Sequence, residues 1–261
     1  MRGDPDTSAA KDVLLITDFD GTLYRGSCPF LFRGIANADL MVVLCLRNAF
    51  KVRRLFRLLA GMVRLRRLER RVRHAYRAGE KTLSDADKQL VKFFETHVLA
   101  ECERADIDWG ARLISGLCYR AAWRCFGALK DRCEFVIVSK SFEFLLEKVS
   151  RRAAGYGIEM RYCGNAAGYG APAPRPGSVI TKEDKHVRIQ ALLAERPYKK
   201  AIVIGDTEDD IAMRDAAAEV LGKPNVLFIC MNAKDPQVAG AADQSFTSWQ
   251  AARAFFERMV I

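Results

Sequence analysis

The chain has 261 residues, half of them hydrophobic, enough for one large domain or a core with an inserted lobe. Its eight cysteines (Cys28, Cys45, Cys102, Cys118, Cys125, Cys133, Cys163 and Cys230) include no Cys-x-x-Cys pair and no histidine partner at metal spacing. This fits reduced thiols in a cytoplasmic protein better than a disulfide framework or zinc site. The net charge of +10 is uneven, because residues 40–78 hold twelve cations against the single anion Glu69.

The polar stretch Met1–Lys11 leads straight into Val13-Leu14-Leu15-Ile16-Thr17, so no signal peptide is expected. No segment reaches the roughly 18 apolar residues of a membrane span. The apolar run predicts a buried strand. Asp18-Phe19-Asp20-Gly21-Thr22 then leaves its carboxyl end. In extended chain, residues i and i+2 point the same way, so Asp18 and Asp20 can share a hard cation and still leave one oxygen free to attack. At average residue frequencies Asp-x-Asp-Gly-Thr is expected by chance in about three chains of this size in a thousand.

Residues 27–109 read as helical: Val52, Leu55, Leu59, Met62, Leu68 and Val72 recur amphipathically between arginines. Ser84-Asp85-Ala86-Asp87 predicts a capping box, and Ala111–Lys130 predicts one further helix. Phe135–Val138 is a second buried strand, ending at Ser139. Gly155–Gly177, rich in glycine and proline, predicts a hairpin or loop. Glu183–Glu195 reads as a helix, Ala201–Ile204 as a third strand closed by Gly205-Asp206, Val226–Cys230 as a fourth, and Ser248–Met259 as a terminal helix. Strands alternating with helices imply a parallel sheet covered on both faces, with ligands beyond the strands' carboxyl ends. Asp18, Ser139 and Asp206 all fall at that edge.

Asp18-Phe19-Asp20-Gly21-Thr22, Val136-Ile137-Val138-Ser139, a lysine at a helix start and Gly205-Asp206-Thr207-Glu208-Asp209-Asp210 stand in that order. Together they resemble the four motifs of the haloacid dehalogenase superfamily. The long insertion between the first two motifs, with Gly-Asp-x-x-x-Asp at the fourth, is most similar to the branch of phosphoserine phosphatases. The resemblance implies a Rossmann-like α/β core over residues 1–26 and 110–261, with a helical cap over 27–109. It also implies Mg²⁺-dependent phosphomonoester hydrolysis through an aspartyl phosphate. Asp18 would attack phosphorus, and Asp20 would protonate the leaving group and later deprotonate water, its backbone carbonyl on the metal. Mg²⁺ suits such an all-oxygen site. Asp206 would be a metal ligand, and Asp210 a ligand or the anchor of one. Thr22, Ser139, the lysine and Asp209 would face the phosphate. Asp209 falls where these enzymes often carry asparagine. Lys182 and Lys185 both suit the lysine; Lys185, followed by Ile189 and Leu192, matches the pattern better.

The chain departs from the phosphoserine enzymes in two places. Ser27 replaces the glutamate that reads a substrate amine, and Lys140 replaces glycine after the second-motif serine. Amine-bearing substrates are therefore disfavoured and more anionic ones, small or lipid-linked, are expected. Charge runs on helices are usually solvated faces. The basic insertion also suits steering of anionic phosphates or contact with an anionic membrane surface by a peripheral protein. No recognition motif for nucleic acid accompanies it. The rival to an enzyme is a non-catalytic basic binding module on the same fold, and the presence of all four motifs argues against it.

Overall fold

The computed structural model describes residues 11–24, 36–79, 82–166, 180–232 and 236–259. Among these, six strands form one all-parallel sheet: β1 (Val13–Thr17), β2 (Cys133–Phe142), β3 (Met160–Asn165), β4 (Lys200–Gly205), β5 (Val226–Met231) and β6 (Gln244–Phe246), in the order β3-β2-β1-β4-β5-β6. β1 is central, pairing with β2 on one side and β4 on the other. All five of its residues are buried, as an apolar run covered on both faces requires.

Alternate residues feed two cores. Leu14, Ile16, Val136, Val138, Val203 and Phe228 pack against α7 (Lys182–Ala194) and α8 (Glu208–Leu221) through Ile189, Leu192, Leu193, Met213 and Ala217. Leu15, Phe135, Ile137, Ile202 and Ile204 face the opposite way. There they join Trp123 and Phe126 of α5 (Arg120–Gly127), Leu145 and Leu146 of α6 (Glu143–Ala154), and Trp249 of α10 (Trp249–Arg258).

Between β1 and β2 stand α1 (Ala36–Arg47), α2 (Val52–Arg77), α3 (Leu83–His97) and α4 (Arg104–Gly116); α9 (Pro236–Ala241) precedes β6. Part of the basic charge in this segment is neutralised internally. Arg47, Lys51 and Arg54 converge on buried Asp106 of α4 at 3.4, 3.8 and 3.3 Å, and Arg57 meets Glu101 at 3.0 Å. Removing Asp106 would leave three cations crowded together, and that repulsion favours the pairing.

Several sequence expectations shift. The helix expected over Ala111–Lys130 is two, α4 and α5. At the break the Tyr119 N–H donates to Leu23 O (2.9 Å) and Cys118 bridges Tyr24, so the chain turns extended to bind the loop after Asp20. Helix α3 is capped by Thr82, whose hydroxyl accepts from the Asp85 N–H at 3.1 Å, rather than by Ser84. The loop expected over Gly155–Gly177 contains β3, while residues 167–179 lie outside the described ones. Strand β2 continues beyond Ser139 to Phe142, with an irregularity between Val138 and Phe142.

Candidate active site

The chain runs from β1 to β2 on one side of the sheet and later crosses back to β4 on the other. The ends of β1 and β4 therefore flank the point where connections diverge, the place for a crevice in an open parallel sheet. Asp18 sits at that point, its N–H still donating to Ile204 O at 2.9 Å. Asp206 follows β4 directly. Asp210, in the first turn of α8, is fully buried and accepts from the N–H groups of Asp206 and Thr207 and from the Thr207 hydroxyl, each at 2.9 Å. It thus closes a capping box with Thr207 and fixes the backbone that presents Asp206.

Lys185 reaches the same point from α7. Thr181 and Asp184 form the capping box that starts this helix. The Lys185 ammonium, 2% exposed, donates to Asp18 Oδ1 at 3.0 Å and to Asp210 Oδ1 at 3.2 Å. Lys182 opens α7, and its side chain lies outside the described residues.

Asp18, Asp206 and Asp210 each offer a carboxylate oxygen within 4.8 Å of the others. Three acids around one ammonium leave a negative imbalance in a largely buried site. Burial pushes the Asp18 carboxyl well above the usual range despite Lys185, with Asp210 and Asp206 adding to the rise. Burial and then Asp210 push Asp206 up to about 7, against the hydrogen bond from Thr22. Burial opposes charge on Lys185 too, but Asp18 and Asp210 outweigh it and hold the ammonium protonated. An all-carboxylate cluster short of positive charge fits a hard divalent cation such as Mg²⁺.

Two glycines leave room for this cluster. Gly21 has φ +79, and a Cβ there would lie 2.2 Å from Asp206 Oδ2; a Cβ on Gly205 would lie 2.2 Å from Asp210 Cγ.

Asp20 does not join the carboxylate cluster. Its Oδ1 accepts from the Ala36 N–H at the start of α1 and its Oδ2 from the Ser141 hydroxyl, both at 2.6 Å. Burial raises its pKa, opposed by these two bonds. Ser139 is buried, and its oxygen accepts from the Ser141 N–H at 3.2 Å, which leaves its own proton for the cavity it lines.

Two residues expected at the phosphate are engaged elsewhere. The Thr22 hydroxyl donates to Asp206 Oδ1 at 3.0 Å, and a hydroxyl has one proton to give, so Thr22 orients a carboxylate. Asp209 faces Lys140 at 2.6 Å, and Lys140 also meets Asp87 of α3 at 2.9 Å. The charge expected to favour an anionic substrate at Lys140 is therefore matched within the protein. Ser27 lies outside the described residues.

A cavity of about 440 Å³ opens over these groups. Asp18, Asp20, Ser139 and Lys185 line it, together with the apolar Leu65, Leu90, Val91, Phe94, Phe142 and Ile180 and the charged Glu69, Arg73, Asp87, Lys140 and Asp209. Sequence reasoning missed Ser141, which follows Ser139 by the same i, i+2 step that flagged Asp18 and Asp20. It also missed Asn165, whose side-chain amide donates to Lys140 O while its carbonyl oxygen accepts from the Ile180 N–H, joining β3 to the approach to α7. No motif marks Asn165.

Fold and acidic site together define a haloacid dehalogenase-like hydrolase. Residues 15–214 match that family's model, and the chain belongs to the family. No curated protein matches the sequence. Among solved structures it is similar to a phosphoserine phosphohydrolase-like protein from Francisella tularensis, at 13% identity over 93% of this chain and 98% of that one, TM-score 0.56. It is also similar to cytosolic 5'-nucleotidase IIIB bound to cytidine, at 14% identity over 95% and 86%, TM-score 0.51. A Bacillus subtilis HAD-hydrolase bound to magnesium aligns at 12% identity over 96% and 100%, TM-score 0.50. At these identities the likeness is one of fold.

Proposed function

We propose that the chain is a Mg²⁺-dependent phosphomonoesterase in which residues 27–109 form a cap over the core. The observation that carries this is that Asp18, Ser139 and Lys185 line one cavity, with Asp18 also part of a three-carboxylate cluster. Asp18, Asp206 and the backbone carbonyl of Asp20 would hold the cation, with Asp210 as ligand or anchor; when bound it screens the repulsion between Asp18 and a phosphate dianion.

The rest falls to the chain's own groups. An Asp18 oxygen attacks phosphorus, the ester P–O bond breaks, and Asp20 gives its proton to the leaving alkoxide. Water then attacks the aspartyl phosphate, Asp20 takes the proton from that water, and the bond to Asp18 breaks, releasing phosphate. Burial raises the Asp20 carboxyl above its ordinary range, against the hydrogen bonds from Ser141 and Ala36, and so favours the acid role. Lys185 and the Ser139 hydroxyl bind the phosphoryl oxygens and stabilise charge as it develops. The apolar part of the lining favours a phosphate on an apolar or lipid-linked body over a small polar one. A panel of phosphorylated metabolites and lipids, with Mg²⁺ and with chelator, tests the reading.

The metal cluster can be tested directly. Asp206→Ala is expected to weaken Mg²⁺ binding at least about tenfold while the fold survives. Asp210→Ala is expected to weaken it less but to lower the melting temperature, because α8 loses its cap. Calorimetric titration reads the first effect, and unchanged affinity in Asp206→Ala would assign the metal elsewhere.

A pH dependence follows from Asp206. Its carboxyl sits at about 7 in the folded chain against 3.8 as a free side chain. Between these values the folded state binds more protons, so metal-free stability falls as pH rises through that window. Mg²⁺ should offset this, giving a larger rise in melting temperature at pH 8 than at pH 6. An equal rise at both would remove Asp206 from the metal's surroundings.

A further inference from the structure

Helix α2 is apolar on two sides. Leu58 and Val72 are buried, and Leu55, Met62 and Leu65 pack against the core. On the other side Val52, Phe56, Leu59 and Val63 recur at steps of four, three and four, forming one face. These four are 59%, 68%, 42% and 52% exposed, and Phe50, just before the helix, is 98% exposed. A core explanation fails because nothing among the described residues covers them. A merely solvated surface has no use for phenylalanine at positions 50 and 56.

The charge beside this stripe is equally particular. Arg53, Arg64, Arg67 and Arg71 share the adjoining face of the helix and are exposed, and no ion pair engages them among the described residues. Arg54 and Arg57, by contrast, are held by Asp106, Glu103 and Glu101. An apolar stripe flanked by unmatched arginines is the pattern of a helix lying in a bilayer interface, apolar face among the acyl chains and cations at anionic headgroups. No helix among the described residues is long and apolar enough to cross a membrane.

We infer that the exposed face of α2, with Phe50, Phe56, Leu59, Val63 and the arginine row Arg53, Arg64, Arg67 and Arg71, docks on an anionic lipid bilayer. A second copy of the chain is a poorer occupant, because packing this face against itself brings two arginine rows together. This surface is separate from the catalytic groups, and its test needs no turnover.

The experiment is cosedimentation of the full chain with vesicles of phosphatidylcholine alone or mixed in equal parts with phosphatidylglycerol. The chain should sediment with the mixed vesicles and not with the neutral ones. Replacing Arg53, Arg64, Arg67 and Arg71 by Gln should lower the partition at 0.1 M salt by about tenfold or more. At 1 M salt, where the Debye length is about 3 Å, the difference from wild type should shrink. The variant F50S/F56S/V63S should lose binding at both salts. Circular dichroism and melting temperature should be unchanged in both variants, which separates lost docking from lost fold. Wild type that ignores the anionic vesicles, or variants that bind like wild type, would overturn the proposal. So would sedimentation equilibrium showing a dimer that F50S/F56S/V63S dissolves, which would give the face to a second copy.

Discussion

Asp18→Asn is expected to lower hydrolysis of a generic aryl phosphate by about 10³-fold or more while leaving the fold and melting behaviour close to wild type. The substitution keeps the shape of the side chain, and the amide oxygen can still accept from Lys185 at the Oδ1 position. What it removes is the nucleophile, since a neutral amide oxygen does not form the acyl phosphate. It also removes one of three crowded carboxylates whose burial already works against their charge. The melting temperature of the metal-free variant should therefore equal or exceed that of wild type. Steady-state assay with and without Mg²⁺ reads the chemistry. Activity within tenfold of wild type would end the aspartyl-phosphate proposal.

Lys185→Met is the other large effect, and it should show in stability as well as rate. The ammonium donates to both Asp18 and Asp210, and all three groups are buried. Removing one partner of a buried ion pair costs about 3–5 kcal/mol when the other stays charged. Here the acids can take up protons instead, so the cost depends on pH. Burial already raises the Asp18 carboxyl, so without the ammonium it holds a proton that the unfolded chain has released above about pH 4. The folded state then binds more protons, and its stability falls as pH rises. The melting-temperature gap between wild type and variant should widen from pH 6 to pH 8 and narrow on adding Mg²⁺. Hydrolysis should drop by about 10²-fold or more, as charge on the transferring phosphoryl group loses its fixed partner. A gap that stays constant with pH would mean that Lys185 does not compensate these acids.

Much of the site was legible because a buried parallel strand leaves two marks in sequence: an unbroken apolar run and a polar residue where it stops. β1 with Asp18 and β4 with Asp206 carry both marks. β3 carries neither. It lies at the sheet edge, four of its six residues are Arg161, Tyr162, Gly164 and Asn165, and its middle is only half-buried. The division between α4 and α5 was hidden for a different reason. The local residues favour helix on both sides, and the break at Cys118 and Tyr119 is set by pairing with Leu23 and Tyr24, nearly a hundred residues earlier. Lys140 illustrates the same limit. Its position after Ser139 was readable, but its partners Asp87 and Asp209 come from α3 and α8, and only their meeting decides whether its charge is free.

The paired glycines at 21 and 205 constrain what variation this hydrolase can tolerate. The acidic cluster occupies volume that any side chain at either position would claim, since each Cβ would fall 2.2 Å from an atom of Asp206 or Asp210. Even alanine, the mildest replacement, must therefore displace a carboxylate, and at Gly21 it must also adopt a backbone region unfavourable to L-residues. In a library carrying every amino acid at every position, sites 21 and 205 should be as intolerant as the acids themselves, although neither bears a functional group. A compensating change cannot come from trimming the neighbour, because the neighbour is Asp206 or Asp210. Change at these two positions is blocked from both sides, so the site depends on empty space as much as on the charges around it.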